Sequence, residues 1–275
     1  MKTIFTVFFL ICMYKTPVSA QWTQSDGPYG GSAVCFAVSE ANLYAGTEHG
    51  GVFLSTNNGA SWTAVNNGLT NKKVYSMAVS GKNVFAGTYG GGVFLSTDNG
   101  TSWNPVNKGL PNKVIVSIGA SGNTIFASPM QGGIYRSTDN GTNWKTVSIP
   151  ISSVTIFKYA VNGSAIYAGT SQGKVLVSTN DGNSWSNIST GLTSSYITSI
   201  VFNEVNIFAS SDEGVFLTTN NGTDWVSIAG ELSNTEVTAL AANGTSVFAA
   251  TSDGIFVTTN NGTSWTSANK GLENT

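Results

Sequence analysis

The sequence predicts an all-β fold, a β-propeller of six four-stranded blades, and three observations support this prediction. An eight-residue signature occurs six times, and its closing tryptophans lie 40 or 41 residues apart. Each repeat contains four short runs of strand-forming residues, which are separated by turns rich in Gly and Asn. Beyond residue 20, no segment shows the 3.6-residue apolar spacing that is typical of an amphipathic helix.

The six signatures end at tryptophans: Trp62, Trp103, Trp144, Trp185, Trp225 and Trp265. A seventh tryptophan, Trp22, lies 40 residues before Trp62 and begins an additional fourth-strand segment. This segment either caps the barrel or pairs with an absent unit, so seven blades remain the alternative count. An open β-helix is the alternative fold, but its rungs are usually shorter than these repeats.

The second repeat illustrates how one blade is expected to form. Its strand-forming residues predict strands over residues 74–79, 84–88, 93–96 and 102–106. A unit of this size is too small to bury a core of its own, so each blade must pack against its neighbours.

The first twenty residues have the features of a secretory signal. A basic start is followed by the apolar run Ile4–Tyr14, and small residues end at Ala20. The alternative is a membrane anchor, but eleven apolar residues fall short of the roughly 20 that a spanning helix needs. We therefore expect cleavage before Gln21, a repeat domain over residues 21–275, and a secreted, periplasmic or cell-surface protein.

Composition restricts the possible partners of the mature chain. Loss of Lys2 and Lys15 with the leader lowers the formal net charge from −2 to about −4. The remaining Lys and Arg form no cluster that could neutralise phosphates, which argues against nucleic acid and against anionic membrane surfaces as partners. Cys35 is the one cysteine after residue 20, so no intrachain disulfide is expected.

The signature resembles the Asp-box, or BNR repeat, with the pattern S-x-D-x-G-x-T-W. This motif is known from sialidases, sortilin-type receptors, some endoglucanases and photosystem assembly factors of the Ycf48 type. The resemblance implies a structural turn between the third and fourth strands of each blade, with the tryptophan packed between sheets. Only Asp98 and Asp139 keep the acid, and Asn replaces it at four positions: Asn57, Asn180, Asn220 and Asn260. A carboxylate is thus dispensable there, and a catalytic or calcium role is not expected.

The sequence argues against an enzyme of the sialidase type. The resemblance to sialidases implies three arginines that bind a substrate carboxylate, whereas this chain has Arg136 alone. His49 is the one histidine, so a Ser-His-Asp triad would depend on it, and no His/Cys cluster suggests zinc. We expect no metal and no cofactor.

Candidate binding residues lie in the loops between the second and third strands, the face at which ligands of known propellers usually bind. These loops vary while their flanks repeat, which is typical of a binding face, although neutral drift in exposed turns is the alternative. A further candidate, Lys158, takes an inner-strand position that otherwise holds Cys, Ser or Ala. The candidates are Glu48, His49, Tyr89, Gln131, Lys158, Gln172, Asp212, Glu213 and Asp253.

These observations favour a secreted, non-catalytic propeller that binds a protein or polysaccharide through its variable loop face. The alternative is a glycoside hydrolase-like enzyme that uses carboxylates of the same face. An assembly factor of the Ycf48 type is a weaker interpretation, because those factors carry an arginine-rich patch that this chain lacks. The oligomeric state and the identity of the ligand stay open.

Overall fold

The computed structural model describes residues 22, 25–29, 31–130, 132–203, 206–233 and 235–272. It confirms the predicted fold: a six-bladed, all-β propeller with four-stranded antiparallel blades. The predicted signal segment, residues 1–20, lies outside the described residues. Among those that are described, no helix is long and apolar enough to cross a membrane.

Each blade contains four consecutive strands, and the strands follow the chain order across each sheet. The strands of blades 1–3 are β1 (Ala33–Ser39), β2 (Asn42–Thr47), β3 (Val52–Ser55), β4 (Thr63–Ala64), β5 (Val74–Ser80), β6 (Asn83–Thr88), β7 (Gly92–Ser96), β8 (Asn104–Pro105), β9 (Ile115–Ser121), β10 (Thr124–Pro129), β11 (Ile134–Ser137) and β12 (Lys145–Val147). Those of blades 4–6 are β13 (Ile156–Asn162), β14 (Ala165–Thr170), β15 (Val175–Ser178), β16 (Ser186–Asn187), β17 (Ile197–Asn203), β18 (Asn206–Ser211), β19 (Gly214–Thr218), β20 (Val226–Ser227), β21 (Ala239–Asn243), β22 (Ser246–Thr251), β23 (Gly254–Thr258) and β24 (Thr266–Ser267). A 3₁₀ helix, η1 (Gly230–Leu232), precedes β21.

Contacts divide the described chain into two compact units. The first comprises Ser25–Ile166 and Ser178–Trp185 and holds blades 1–3 whole. The second comprises Trp22, Tyr167–Val177 and residues 186–272, and it holds blades 5 and 6 whole.

Blade 2 shows how closely the pattern predicts the strands. Its first three strands end within one residue of their predicted bounds, but β8 is only two residues long. The fourth strand is short because Trp103, at its start, leaves the ladder and bonds its backbone N–H to Asn67 of the preceding linker. The inner strand β5 carries a bulge between Val74 and Ser76, which redirects the side chain of Tyr75.

Apolar side chains from facing sheets form the core of the first unit. Phe85, Val93 and Ile115 are fully buried between blades 2 and 3, together with Trp144. Gly87 permits this close packing, because a Cβ there would lie 2.8 Å from Cγ2 of Ile115. Full burial of a side chain of this size contributes about 1.5–3 kcal/mol to the free energy of unfolding, so packing between neighbouring sheets stabilises each small blade.

The second unit has an equivalent core and one additional tryptophan. Phe208, Val247 and Trp265 are buried among the facing strands of blades 5 and 6. Trp22 donates its indole N–H to the carbonyl of Ala268 at 2.6 Å and its backbone N–H to that of Lys270 at 3.1 Å. It thus packs against the linker after β24, as a signature tryptophan packs against the linker of the preceding blade.

Candidate functional site

The six signatures form closed turns between the third and fourth strands of each blade. In the turn of blade 2, Ser96 Oγ donates to Asp98 Oδ1 at 2.8 Å and accepts the N–H of Gly100 at 2.8 Å. The backbone N–H of Ser102 completes the turn by donating to Asp98 Oδ1 at 2.9 Å. The polar groups of the turn thus hydrogen-bond to one another, which leaves them little capacity to bind a ligand.

The third signature position holds Asp or Asn without a change in this geometry. Asp98 Oδ2 accepts a hydrogen bond from Ser102 Oγ at 2.6 Å, whereas Asn57 Nδ2 donates to Ser61 Oγ at 2.9 Å. A serine hydroxyl can donate or accept, so the partner adapts to either residue. Hydrogen bonds from Asn143 and Ser137 hold the pKa of Asp139 at about 2.

The residue before each signature glycine also has a left-handed backbone. Asn58 and Asn99 have φ angles of 55° and 58°, and Asp181 has 55°. Asn and Asp adopt this conformation more readily than other non-glycine residues, which explains why they recur at this position.

Four signature tryptophans bond to the blade before them through the indole N–H. The acceptors lie at 2.7–3.0 Å and are the carbonyls of Val65 for Trp103, Val106 for Trp144, Ile188 for Trp225 and Ile228 for Trp265. Trp62 bonds instead within its own turn, to Gly59 at 3.1 Å. The indole N–H of Trp185 is buried and has no partner among the described residues.

Three of the predicted site residues gather in the first unit. Glu48 and His49 follow β2, Tyr89 follows β6, and the side chains of Glu48 and Tyr89 lie near that of the linker residue Lys73. Lys73 Nζ lies 4.8 Å from the ring centre of Tyr89, 5.4 Å from that of Tyr75 and 3.8 Å from Glu48 Oε1. His49 Nε2 lies 3.9 Å from the same carboxylate oxygen. We call Glu48, His49, Lys73, Tyr75 and Tyr89 the tyrosine cluster.

The tyrosine cluster is exposed yet fixed. Tyr89 has 43% of its surface exposed, although the Tyr75 ring packs edge-on against it at 5.4 Å. Its backbone N–H donates to Lys73 O at 2.9 Å, and its carbonyl accepts the side-chain amide of Asn71 at 2.9 Å. Contact with the Tyr75 hydroxyl and the charge of Glu48 raise the pKa of Lys73. The cluster thus presents a rigid aromatic face beside one cation and one carboxylate.

Sequence reasoning missed two members of this cluster. Lys73 lies in the linker that leads into β5, and Tyr75 lies on the bulge of that strand. The signal for them was a lysine pair, Lys72-Lys73, directly before the inner strand β5, whose second residue is Tyr75.

A second group of candidates gathers in the second unit, and we call it the acidic cluster: Tyr196, Asp212, Glu213 and Glu236. Thr193 Oγ1 donates to Glu213 at 2.6 Å, and the backbone N–H of Ser195 donates to Asp212 at 3.1 Å. Tyr196 OH donates to Glu236 at 2.9 Å, and this bond, with the nearby charges of Glu236 and Asp212, raises the pKa of the tyrosine.

The other candidates lie in neither cluster. Gln172 and Asp253 are exposed, and their backbone N–H groups bond within their own turns, to Thr170 and Thr251. Gln131 lies outside the described residues. Its neighbour Met130 is 43% exposed, which adds one apolar side chain to this set of loops.

Lys158 lies on the inner strand β13 and is the fourth candidate outside the clusters. Water reaches part of its side chain, but the surrounding strands crowd the ammonium group, and this desolvation lowers its pKa. Cys35 is a free thiol whose pKa burial raises to about 12, which disfavours the reactive thiolate form at neutral pH. In the described part of the chain, no group of three or more His, Cys, Asp or Glu could hold a metal ion.

Comparison with known proteins supports the fold. The DUF6242 beta propeller domain family matches residues 95–192. The extracellular domain of BT4673 from B. thetaiotaomicron is similar in structure, with a TM-score of 0.70 and 17% identity over 87% of this chain and 35% of that one. This chain therefore spans about a third of that domain's length. No curated protein matches the chain.

Two further structures are similar at the level of fold. YCF48 from Cyanidioschyzon merolae has a TM-score of 0.68 and 18% identity, over 90% of this chain and 88% of that one. A GH74 enzyme from Niastella koreensis has a TM-score of 0.62 and 23% identity, over 85% of this chain and 37% of that one. At these identities the likeness extends to the propeller fold alone.

Proposed function

We propose that the chain is a secreted, non-catalytic β-propeller that binds a protein or carbohydrate partner through its loop face, with the tyrosine cluster at the centre of contact. The observation that carries this proposal concerns Tyr89, a large aromatic residue in a loop. Its side chain is 43% exposed, yet both its backbone N–H and its backbone carbonyl are hydrogen-bonded.

The cluster has the composition of a binding centre. Tyrosine supplies a large contact area with few rotatable bonds, so an aromatic ring that is already fixed loses little entropy on binding. Lys73, Glu48 and His49 add an ammonium group, a carboxylate and an imidazole to the cluster, which can hydrogen-bond to a peptide or to sugar hydroxyls.

Similar propellers support a binding role. YCF48 has been solved with a D1 peptide bound, and BT4673 carries its propeller in an extracellular domain. By analogy, the repeated blades of this chain act as a scaffold, and the variable loops between the second and third strands carry the specificity.

The test is binding of the purified chain to an array of polysaccharides, with a pull-down from an envelope fraction in parallel. Tyr89→Ala is expected to weaken binding about 30-fold or more, the effect of losing a contact worth roughly 2 kcal/mol. The matched control is Tyr29→Ala, because Tyr29 is 65% exposed but lies outside the cluster. Retention of full binding by Tyr89→Ala, with an unchanged melting temperature, would refute the assignment of the site.

The same preparation tests the alternative enzymatic function. The acidic cluster supplies two half-buried carboxylates on one loop, Asp212 and Glu213. Release of reducing ends from any polysaccharide of the panel, abolished by Asp212→Asn or Glu213→Gln, would replace the binding function with a glycoside hydrolase-like one.

A further inference from the structure

Three linkers carry an asparagine whose side-chain amide binds the neighbouring loop of the same blade. Asn107 Oδ1 accepts the N–H of Val93 at 2.7 Å, and its Nδ2 donates to Gly91 O at 3.1 Å. Asn66 makes the same two bonds in blade 1, at 2.8 Å each, and Asn269 makes them in blade 6, at 2.6 and 3.4 Å. The propeller thus contains a repeated site for a carboxamide group.

Blade 3 lacks this asparagine and keeps only the carbonyl half of the site, because Ile134 pairs with Val147 in the β-ladder. The position of Asn107 is taken by the shorter and exposed Ser148, and its neighbours Val147 and Ile149 line a cavity of about 210 Å³. Its walls include Gly132, Gly133 and Ile134, which correspond to the residues that bind the asparagine in blades 1 and 2. A single water molecule needs only about 10–15 Å³ of such volume, so the cavity has room for a carboxamide group.

The glycines of these loops show that the cavity is open. A Cβ added to Gly51 would collide with the amide of Asn66, and one added to Gly92 would collide with that of Asn107. A Cβ on Gly133 would meet only Ile149 Cδ1, at 3.8 Å.

Blades 4 and 5 close the equivalent space by other means. Ser189 Oγ accepts the N–H of Val175 at 2.9 Å in blade 4. In blade 5, a Cβ on Gly214 would lie 2.6 Å from that of Ala229. Among the described blades, the loop of blade 3 therefore stands out as the one with room for a carboxamide from outside.

We propose that this cavity binds the side-chain carboxamide of an asparagine or glutamine from a partner polypeptide. Ile134 pairs with Val147 in the β-ladder, so the backbone group that remains, by equivalence with Gly91, is the carbonyl of Gly132. The NH₂ group of the ligand donates to this carbonyl, and the carbonyl of the ligand accepts from the hydroxyl of Thr146. Thr146 is also one of the residues that line the cavity. This site is separate from the tyrosine cluster and does not depend on the function proposed above.

Free L-glutamine is the probe, and L-glutamate is its matched control, because the two differ only in the side-chain amide. Titration of the ¹⁵N-labelled chain is expected to shift the amide resonances of Gly132, Gly133 and Ile134 with glutamine at millimolar concentrations. Glutamate is expected to produce at most a tenth of that shift. Equal shifts with the two amino acids, or none at the highest soluble concentration, would overturn the proposal. Saturable shifts with N-acetylglucosamine and none with glutamine would also overturn it, in favour of a sugar ligand.

Two variants locate the effect. Ser148→Asn supplies an internal carboxamide, and Thr146→Phe fills the cavity from the exposed strand β12; either change should abolish the glutamine shifts. Asn107→Ser opens the equivalent site in blade 2, and glutamine is expected to shift Gly91–Val93 in that variant. Unchanged glutamine shifts at Gly132–Ile134 in both blocking variants would show that the probe binds elsewhere.

Discussion

Two junctions between blades in the first unit solve the same packing problem with different chemistry. The junction of blades 2 and 3 uses the linker Asn107–Leu110: Trp144 donates its backbone N–H to the carbonyl of Lys108 in this linker, at 2.9 Å, and its indole N–H to that of Val106 just before it, at 2.8 Å. The junction of blades 3 and 4 has residues 148–151 in its place, with Pro150 at the position of Gly109, and the indole N–H of Trp185 has no hydrogen-bond partner in the described part of the chain. We call these the regular and the altered junction.

Aromatic packing replaces the lost hydrogen bonds at the altered junction. The rings of Phe126 and Trp185 meet edge-on with centres 5.9 Å apart, and Tyr159 lies 5.8 Å from Phe126 and 6.5 Å from Trp185. Such pairs contribute about 0.5–1.5 kcal/mol each, similar to a net hydrogen bond. The buried hydroxyl of Tyr159 has no partner among the described residues, so this solution leaves polar groups unsatisfied. The comparison shows that a repeat fold tolerates the loss of hydrogen bonds at one junction when the side chains there remain closely packed.

The largest expected difference between the junctions concerns their third linker residue. Gly109 has a φ of 98°, and a Cβ there would collide with the carbonyl oxygen of Trp144. Gly109→Ala is therefore expected to cost about 2–4 kcal/mol of unfolding free energy. Pro150→Ala, at the equivalent position, should cost about 1 kcal/mol or less. Urea unfolding measures both, and equal costs would show that the two linkers are not distinguished by this contact.

The next difference concerns the linker side chain. Asn107→Ala removes two hydrogen bonds from half-buried backbone groups, Val93 N–H and Gly91 C=O, and should cost about 1–3 kcal/mol. Ser148→Ala at the altered junction changes an exposed side chain and should stay within about 0.5 kcal/mol. The same unfolding measurement checks the pair. A loss for Ser148→Ala as large as that for Asn107→Ala would mean that the serine has a bonding role.

The tryptophans provide a smaller and more specific contrast. Trp144→Phe loses the indole bond to Val106 O as well as ring volume, whereas Trp185→Phe loses only the volume and removes an unsatisfied N–H. The cost of Trp144→Phe should exceed that of Trp185→Phe by about 1 kcal/mol or more. Thermal unfolding of the two variants tests this difference, and the reverse order would contradict the hydrogen-bonding account.

The repeat pattern is enough to predict the blades, because strand formers and turn residues recur at fixed positions in every copy. It does not predict the tyrosine cluster, since Lys73, Tyr75 and Tyr89 meet only through a bulge in β5 that no local residue preference indicates. In the structure, Glu48 and Tyr89 lie beside Lys73, and Asp212 and Glu213 lie on a loop of the second unit. Their functional role stays a prediction. The sequence does not indicate the cavity of blade 3, because Ser189 and Ala229 also replace the asparagine in blades 4 and 5, where the equivalent space is closed.

The smallest expected effect separates the signature turns that follow the third strands of blades 3 and 4. Hydrogen bonds from Asn143 and Ser137 hold the pKa of Asp139 at about 2, below its ordinary value of 3.8, while Asn180 fills the same position in blade 4 without a charge. A folded-state pKa below the unfolded value stabilises the protein above about pH 4, and this contribution is lost as the pH falls towards 2. Asp139→Asn should therefore reduce the fall in melting temperature over this range. Because the carboxylate is exposed, the difference should remain below about 1 kcal/mol.

Asn180→Asp is the matched converse. Its carboxylate can accept a hydrogen bond from Ser184, as Asp98 does from Ser102, and the change should steepen the acid transition. Parallel acid profiles for the two variants and the wild type would show that the carboxylate of the turn contributes no stability.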